Sequence, residues 1–292
     1  MKKVILAYTL VLIPFLSFTQ QIRYSPAWYG PNAFPVPELS DASIVSKTTF
    51  DITADYYFGF GDKTKNGYFR VEIPLLSKKV SFKIWSAFME HFEISPDLAK
   101  LRNIAPDREI TGKANSDVYV QTRIRLLTEN NYIPSIILNS TLKSSSGTKN
   151  LSRRYYNSSG YYFDIEAGKS ISLRTKLVDE LRVVGTLGFL CWETDNFTQN
   201  DAPMYGLKMK LKKDKIEWES GIRGYSGWMS NHPDYGSDYG DKPLVGFTKL
   251  SFQPNRLQYN IQYQYGIRDY PYHQIRLGIQ FISKKLTPQF KE

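Results

Sequence analysis

Arg256-Leu257-Gln258-Tyr259-Asn260-Ile261-Gln262-Tyr263-Gln264-Tyr265-Gly266-Ile267-Arg268 is the stretch whose reading decides the fold. Leu257, Tyr259, Ile261, Tyr263, Tyr265 and Ile267 alternate with Gln258, Asn260, Gln262, Gln264, Gly266 and Arg268. Successive side chains of a strand point to opposite faces, so this segment is a strand with one apolar, aromatic-rich face and one polar face. Strands of soluble sheets run to about 5–6 residues, whereas a tilted strand crossing a bilayer needs about 9–11. The length therefore favours a membrane crossing.

The pattern repeats outward from there. Ile275, Leu277, Ile279 and Phe281 oppose Gln274, Arg276, Gly278 and Gln280. Phe50, Ile52, Ala54, Tyr56, Phe58 and Phe60 oppose Asp51, Thr53, Asp55, Tyr57 and Gly59. Similar runs centre on 69–75, 80–84, 117–126, 162–167, 205–211 and 216–223, and segments 133–143, 181–193 and 244–252 read as strands of ambiguous facing. The expected fold class is all-β: an antiparallel transmembrane β-barrel of about twelve strands over 48–283, apolar residues toward lipid and polar ones toward a lumen.

The connections alternate long and short, as in such barrels, with two mild exceptions, 172–179 and 269–272. Expected outer loops are 61–66, 94–115, 144–160, 194–203, 228–242 and 269–272. Expected periplasmic turns are 76–79, 128–131, 172–179, 212–215 and 253–255. Glu129-Asn130-Asn131, Lys213-Asp214-Lys215 and Gln253-Pro254-Asn255 carry suitable turn residues.

The ends frame the barrel. Lys2 and Lys3 precede an apolar run from Val4 to Phe18, so residues 1–19 read as a secretory signal peptide. Segment 20–47, with Pro26, Pro31, Pro35 and Pro37 among Tyr24, Trp28, Tyr29 and Phe34, reads first as an extended periplasmic arm and second as a plug folded into the lumen. Residues 284–292 form a short polar tail. No 18-residue apolar run follows the signal, and Cys191 is the only cysteine, so neither a transmembrane helix nor an intrachain disulfide is available.

Signal, alternating strands and sorted loops together resemble the outer-membrane channel barrels of Gram-negative bacteria over nearly the whole mature chain. Ser116-Asp117-Val118-Tyr119-Val120-Gln121-Thr122 resembles the acidic-then-alternating strand opening of some of these barrels. The resemblance implies a porin-like channel in the outer membrane, with membrane lipid, a small solute and the barrel-assembly machinery as partners.

The formal net charge is +10. Export excludes nucleic acid as its target and leaves a basic lumen. Arg70, Arg123, Arg125, Lys208 and Lys210 share the inward parity, as do Arg223, Arg268 and Arg276. Tyr119 and Tyr162 add inward stacking surfaces. Arg123 and Arg125 are the expected anion-attracting pair, because the strands beside them offer Lys83, Asn139, Thr141 and Lys143 rather than acids; Glu217 and Glu219 are expected to quench Lys208 and Lys210. The expected function is a channel or facilitator for small polar or anionic solutes. A non-transporting barrel, serving as scaffold, adhesin or secretion component, is the alternative.

A barrel hydrolase is the third reading. It needs a lipid-facing His and Ser with an orienting group. His91 is expected inward, His232 in a loop, and His273 outward with Asp269 in reach, and no outward Ser flanks His273. Asp234, Asp238 and Asp241 do not have EF-hand spacing, so neither a metal nor another cofactor is expected.

Overall fold

The computed structural model describes residues 25–75, 79–193, 201–227, 239–284 and 286–288. Its strands are β1 Thr48–Phe58, β2 Asp62–Leu75, β3 Val80–Ile94, β4 Thr111–Ala114, β5 Tyr119–Leu127, β6 Ser135–Lys143 and β7 Gly160–Ser172. They continue as β8 Glu180–Trp192, β9 Ala202–Lys213, β10 Ile216–Tyr225, β11 Leu244–Phe252, β12 Leu257–Arg268 and β13 His273–Ser283. One helix, α1 (Pro96–Leu101), lies between β3 and β4. Strands β4 and β5 follow each other along β3, so thirteen strands make twelve staves. Each stave pairs antiparallel with the next, and β1 pairs with β13 from Thr48↔Ser283 to Phe58↔His273, which closes the ring. The twelve staves form a closed ring, and every strand except the short β4, which pairs with β3 alone, finds a backbone partner on both sides, the condition for burying strands in lipid.

The facing follows the alternation. On β12 the outward residues from Leu257 to Ile267 are 38–50% exposed, whereas inward Gln264 is 3% exposed. Ile52, Leu187, Leu207 and Leu277 are likewise exposed and apolar. A monomer in water rarely shows so large an apolar surface; around a closed barrel it is the lipid-facing band. We call the rim where β1 begins and β13 ends the lower rim, and the opposite one the upper rim.

The structure corrects several sequence expectations. The loop expected at 61–66 is almost entirely the start of β2, and β1 reaches it through a tight Gly59-Phe60-Gly61 turn with φ of +105°, +53° and +76°. Such angles suit glycine. The sequence hid this strand because Lys63 and Lys65 point out while Asp62, Thr64 and Asn66 point in, so both faces are polar above the lipid band. His91 points outward, not inward. The register shift opposite Gly67/Tyr68 leaves Phe88 as an extra residue and reverses the parity of the rest of β3. His232 and most of loops 194–203 and 228–242 lie outside the described residues.

Of the two readings of segment 20–47, residues 25–47 take the second, the plug. They do not extend away from the barrel; they run inside it, from the upper rim at Ser25 to the lower rim at Thr48. Ser25 Oγ donates to the Gly240 carbonyl of the β10–β11 loop at 2.6 Å. Trp28, Tyr29, Phe34 and Val36 pack against inward Tyr57, Trp85, Tyr162, Trp192 and Tyr272 as one core. The arm completes a core to which the wall and the upper-rim loops contribute most of the residues.

Candidate functional site in the barrel lumen

The lumen has two unlike halves. The upper half is filled by the arm and the upper-rim loops. Arg154, from the β6–β7 loop, donates from Nε to Glu90 at 2.7 Å, from Nη1 to Asp62 at 2.7 Å and from Nη2 to Thr64 at 2.5 Å. Arg102, just after α1, donates to Asp62 at 2.8 Å, to the Tyr29 carbonyl at 2.9 Å and to Tyr272 Oη at 2.5 Å. Glu90 also accepts from Tyr155 Oη and from Asn32 of the arm. All four charged side chains are fully buried. Gly30 is required here, since a Cβ would lie 2.6 Å from the Arg154 guanidinium carbon. Ile94, Leu98, Ala99, Ile104 and Tyr155 form a small second core capping this rim.

The lower half keeps a cavity of about 370 Å³. Two arm carboxylates face it, each held between two bases of the wall. Glu38 accepts from Arg70 at 2.5 Å and from Arg276 at 2.6 Å. Asp41 accepts from Lys208 and, at 2.5 Å, from Lys210. Both acids are about a third exposed to the cavity. Burial works to raise the pKa of Glu38, and the Arg276 and Arg70 guanidinium groups overcome it, holding the carboxyl well below the usual range. Asp41 is held well below its usual range in the same way, burial being outweighed by Lys208 and Lys210. The arm backbone is gripped too: Ser40 and Ala42 N–H donate to Glu166, while the Ala42 carbonyl accepts from Ser135. This grip holds Ala42 at φ +47°, a conformation costly for a residue with a Cβ.

No protein-family model matches the chain, and no curated protein matches it. Solved structures do. The COG4313 outer membrane channel from Pseudomonas putida F1 superposes with a TM-score of 0.61 at 11% identity, covering 85% of this chain and all of that one. The NanC porin superposes with a TM-score of 0.50 at 12% identity, covering 80% of this chain and all of that one. The fold is that of an outer-membrane β-barrel. At such identities the likeness carries the fold alone, and the lumen has to be read from its own residues.

Of the lumen residues picked out by parity, Arg70, Arg123, Lys208, Lys210, Arg223 and Arg276 border the lower cavity of this outer-membrane barrel. Tyr119 and Tyr162 border the crevice above it. Tyr119 stacks on Trp85 with ring centres 5.2 Å apart. Two candidates lie elsewhere. Arg268 is exposed at the upper rim, donating to the Lys242 carbonyl at 2.8 Å, beside a register shift at Leu244/Val245. Arg125 is half-buried near the lower rim, next to the register shift at Arg125/Leu127, and borders neither space.

Arg123 is not an unpaired base. It bridges Glu72 at 3.0 Å and Glu166 at 2.9 Å, reaching past the adjacent strands to β2 and β7. Counting only neighbouring strands misses such a reach. Lys208 does meet Glu219, at 2.9 Å, and also Asp41. The sequence reading missed Glu38 and Asp41. Their signal was present: they are the only acids of an otherwise acid-free arm. At the upper rim, His273 Nδ1 meets Tyr263 Oη at 2.8 Å, while Asp269 accepts from the Gly240 and Lys242 N–H groups.

Proposed function

We propose that the protein is an outer-membrane channel for small anionic solutes, exported by the signal at 1–19, with its lower rim in the periplasm and its closed state set by residues 25–47. The observation that carries this reading is the charge around the lower cavity. Eight bases and six acids border it, and two of those acids, Glu38 and Asp41, belong to the arm. With the arm aside, eight bases and four acids of the wall border the cavity, and Asp55 and Glu166 just outside that border pair with Arg276 and Arg123, which leaves a surplus of two bases. A narrow low-dielectric passage focuses such a surplus and favours anions. That the two superposed structures are a channel and a porin supports the reading.

The fully buried ion pairs of the upper half favour a second reading, a barrel that does not transport. Planar-bilayer recording separates the two. The intact chain should open rarely, and a variant lacking 25–38 should conduct often, with a reversal potential shifted toward anions across a salt gradient. A variant that runs as a folded barrel on a heat-modifiability gel and still passes no current supports the non-transporting barrel instead.

A further inference from the structure

The lower cavity and the crevice above it share a border of six residues: Glu38, Tyr68, Arg70, Lys83, Arg223 and Arg276. Only Glu38 comes from the arm. Its carboxylate is divided between Arg70 and Arg276, and Arg276 spends its other donors on Asp55, both at 2.7 Å. Arg223 and Lys83 are 6% and 8% exposed. Among the described residues neither forms an ion pair. Arg223 gives one Nη2 bond to Gln264, lies over the Phe247 ring and leaves Nε without an acceptor. Lys83 reaches only Ser40 Oγ, at 3.4 Å, and the face of Trp85. The Arg70 Nε also lacks an acceptor. A buried cation without its anion is costly, and a buried donor left unused calls for a ligand that uses it. The shared border therefore carries four bases with donors to spare and a single carboxylate, Glu38, which belongs to the arm, while Asp55 of β1 holds Arg276 from outside that border.

The crevice above supplies the rest of a binding site. Trp85, Tyr119, Tyr162 and Trp192 form part of its wall, and Pro35-Val36-Pro37 of the arm form another. Tyr119 Oη and Trp192 Nε1 are buried there without partners. Aromatic faces take a flat ring, and the unused donors take its polar substituents.

We propose that this junction is the solute-binding site of the channel, that its ligands are small ring-bearing carboxylates, and that Glu38 is a built-in competitor which the incoming carboxylate displaces from Arg70 and Arg276. The proposal rests on the channel reading above and names its solute class. Displacing Glu38 releases Pro35–Pro37, so the ring enters the crevice as the arm yields, while Asp41 and the Glu166 contacts still hold the arm below.

The test uses the full chain, folded in detergent, with benzoate as the probe and benzamide as its uncharged isostere, read by tryptophan fluorescence and calorimetry. Benzoate should bind saturably, and benzamide about tenfold more weakly or worse. Glu38→Gln should tighten benzoate binding about fivefold or more, because removing a competing closed state raises apparent affinity. Arg223→Gln should weaken it about tenfold or more. Each variant is first checked for folding by heat-modifiability. Benzoate affinity unchanged or lowered in folded Glu38→Gln overturns the competitor role. Equal binding of benzamide, or no saturable benzoate binding, overturns the carboxylate site. Anion-selective current without benzoate binding leaves the channel standing and removes this site. Benzoate binding as described, with no current from the arm-deleted barrel, keeps the site and removes the channel.

Discussion

The upper and lower halves of the lumen hold the same arm by opposite means. Above, Ala27, Tyr29 and Asn32 are tied to a network in which Arg102, Arg154, Asp62 and Glu90 are wholly buried. Below, Glu38 and Asp41 lie between pairs of bases and stay about a third exposed to a cavity. A dry network breaks only by leaving charges uncompensated, whereas a partly exposed carboxylate exchanges against a proton or another anion. On the proposed reading the upper half belongs to the fold and the lower half is a releasable catch.

The largest expected effect lies above. Arg154→Ala leaves Glu90 and part of Asp62 unpaired, and should cost about 3–5 kcal/mol in urea unfolding from lipid. A cost no larger than that of a lower-half change would break the comparison.

A substitution on the lipid face sets the scale. Ile261→Arg should cost about 2–4 kcal/mol by the same measurement, and Gln262→Arg, one residue along and facing the lumen, should be tolerated. Equal damage from both would contradict the facing of β12.

In the lower half, the double change Lys208→Gln with Lys210→Gln removes both partners of Asp41. It should cost only about 1–2 kcal/mol, discounted because Asp41 is partly exposed and Glu219, which also loses Lys208, keeps Lys249 at 3.6 Å. Amide exchange should rise at residues 39–42 and stay slow at 27–34. Uniform loosening would show that the halves are one unit.

The smallest effect is that of pH. The pKa values of Glu38 and Asp41 are depressed in the fold, so their contribution is complete above the unfolded carboxylate range near about 4 and fades as pH falls through the depressed values. Acidification below about pH 4 should therefore free residues 38–42 before 27–34, as read by amide exchange. Simultaneous release would count against the catch.

The staves were legible because lipid outside and polar lumen inside impose alternation wherever both are present. Arg256 to Arg268 shows this at its clearest. Legibility failed where one of the two environments ends. At Asp62–Asn66 both faces are polar, so the strand resembled a loop. At Phe88 one extra residue reversed the facing of His91, and no single-residue signal announces a bulge. The lumen was half legible. Parity placed Arg70, Arg223 and Arg276 beside the cavity, but the partners of Arg123 come from β2 and β7, and its parity says nothing of a side chain that reaches past its neighbours. The arm was the least legible part, because proline and aromatic content fits an extended segment in solvent as well as one inside a barrel. Only the placement of Glu38 and Asp41 among the wall bases decides between them.

The position of the arm also bears on assembly. Residues 25–47 come immediately before β1, and β1 closes the ring with β13, so the first part of the chain is enclosed by the last strand. That closure joins distant segments and is slow by its topology. An arm already lying along the inner faces of β2, β3 and β7 gives the unfinished sheet a surface to curl around. With the arm there first, the seam between Thr48 and Ser283 would shut over cargo already in place. The same peptide supplied later in trans would meet a finished ring, with the cavity end as its route in.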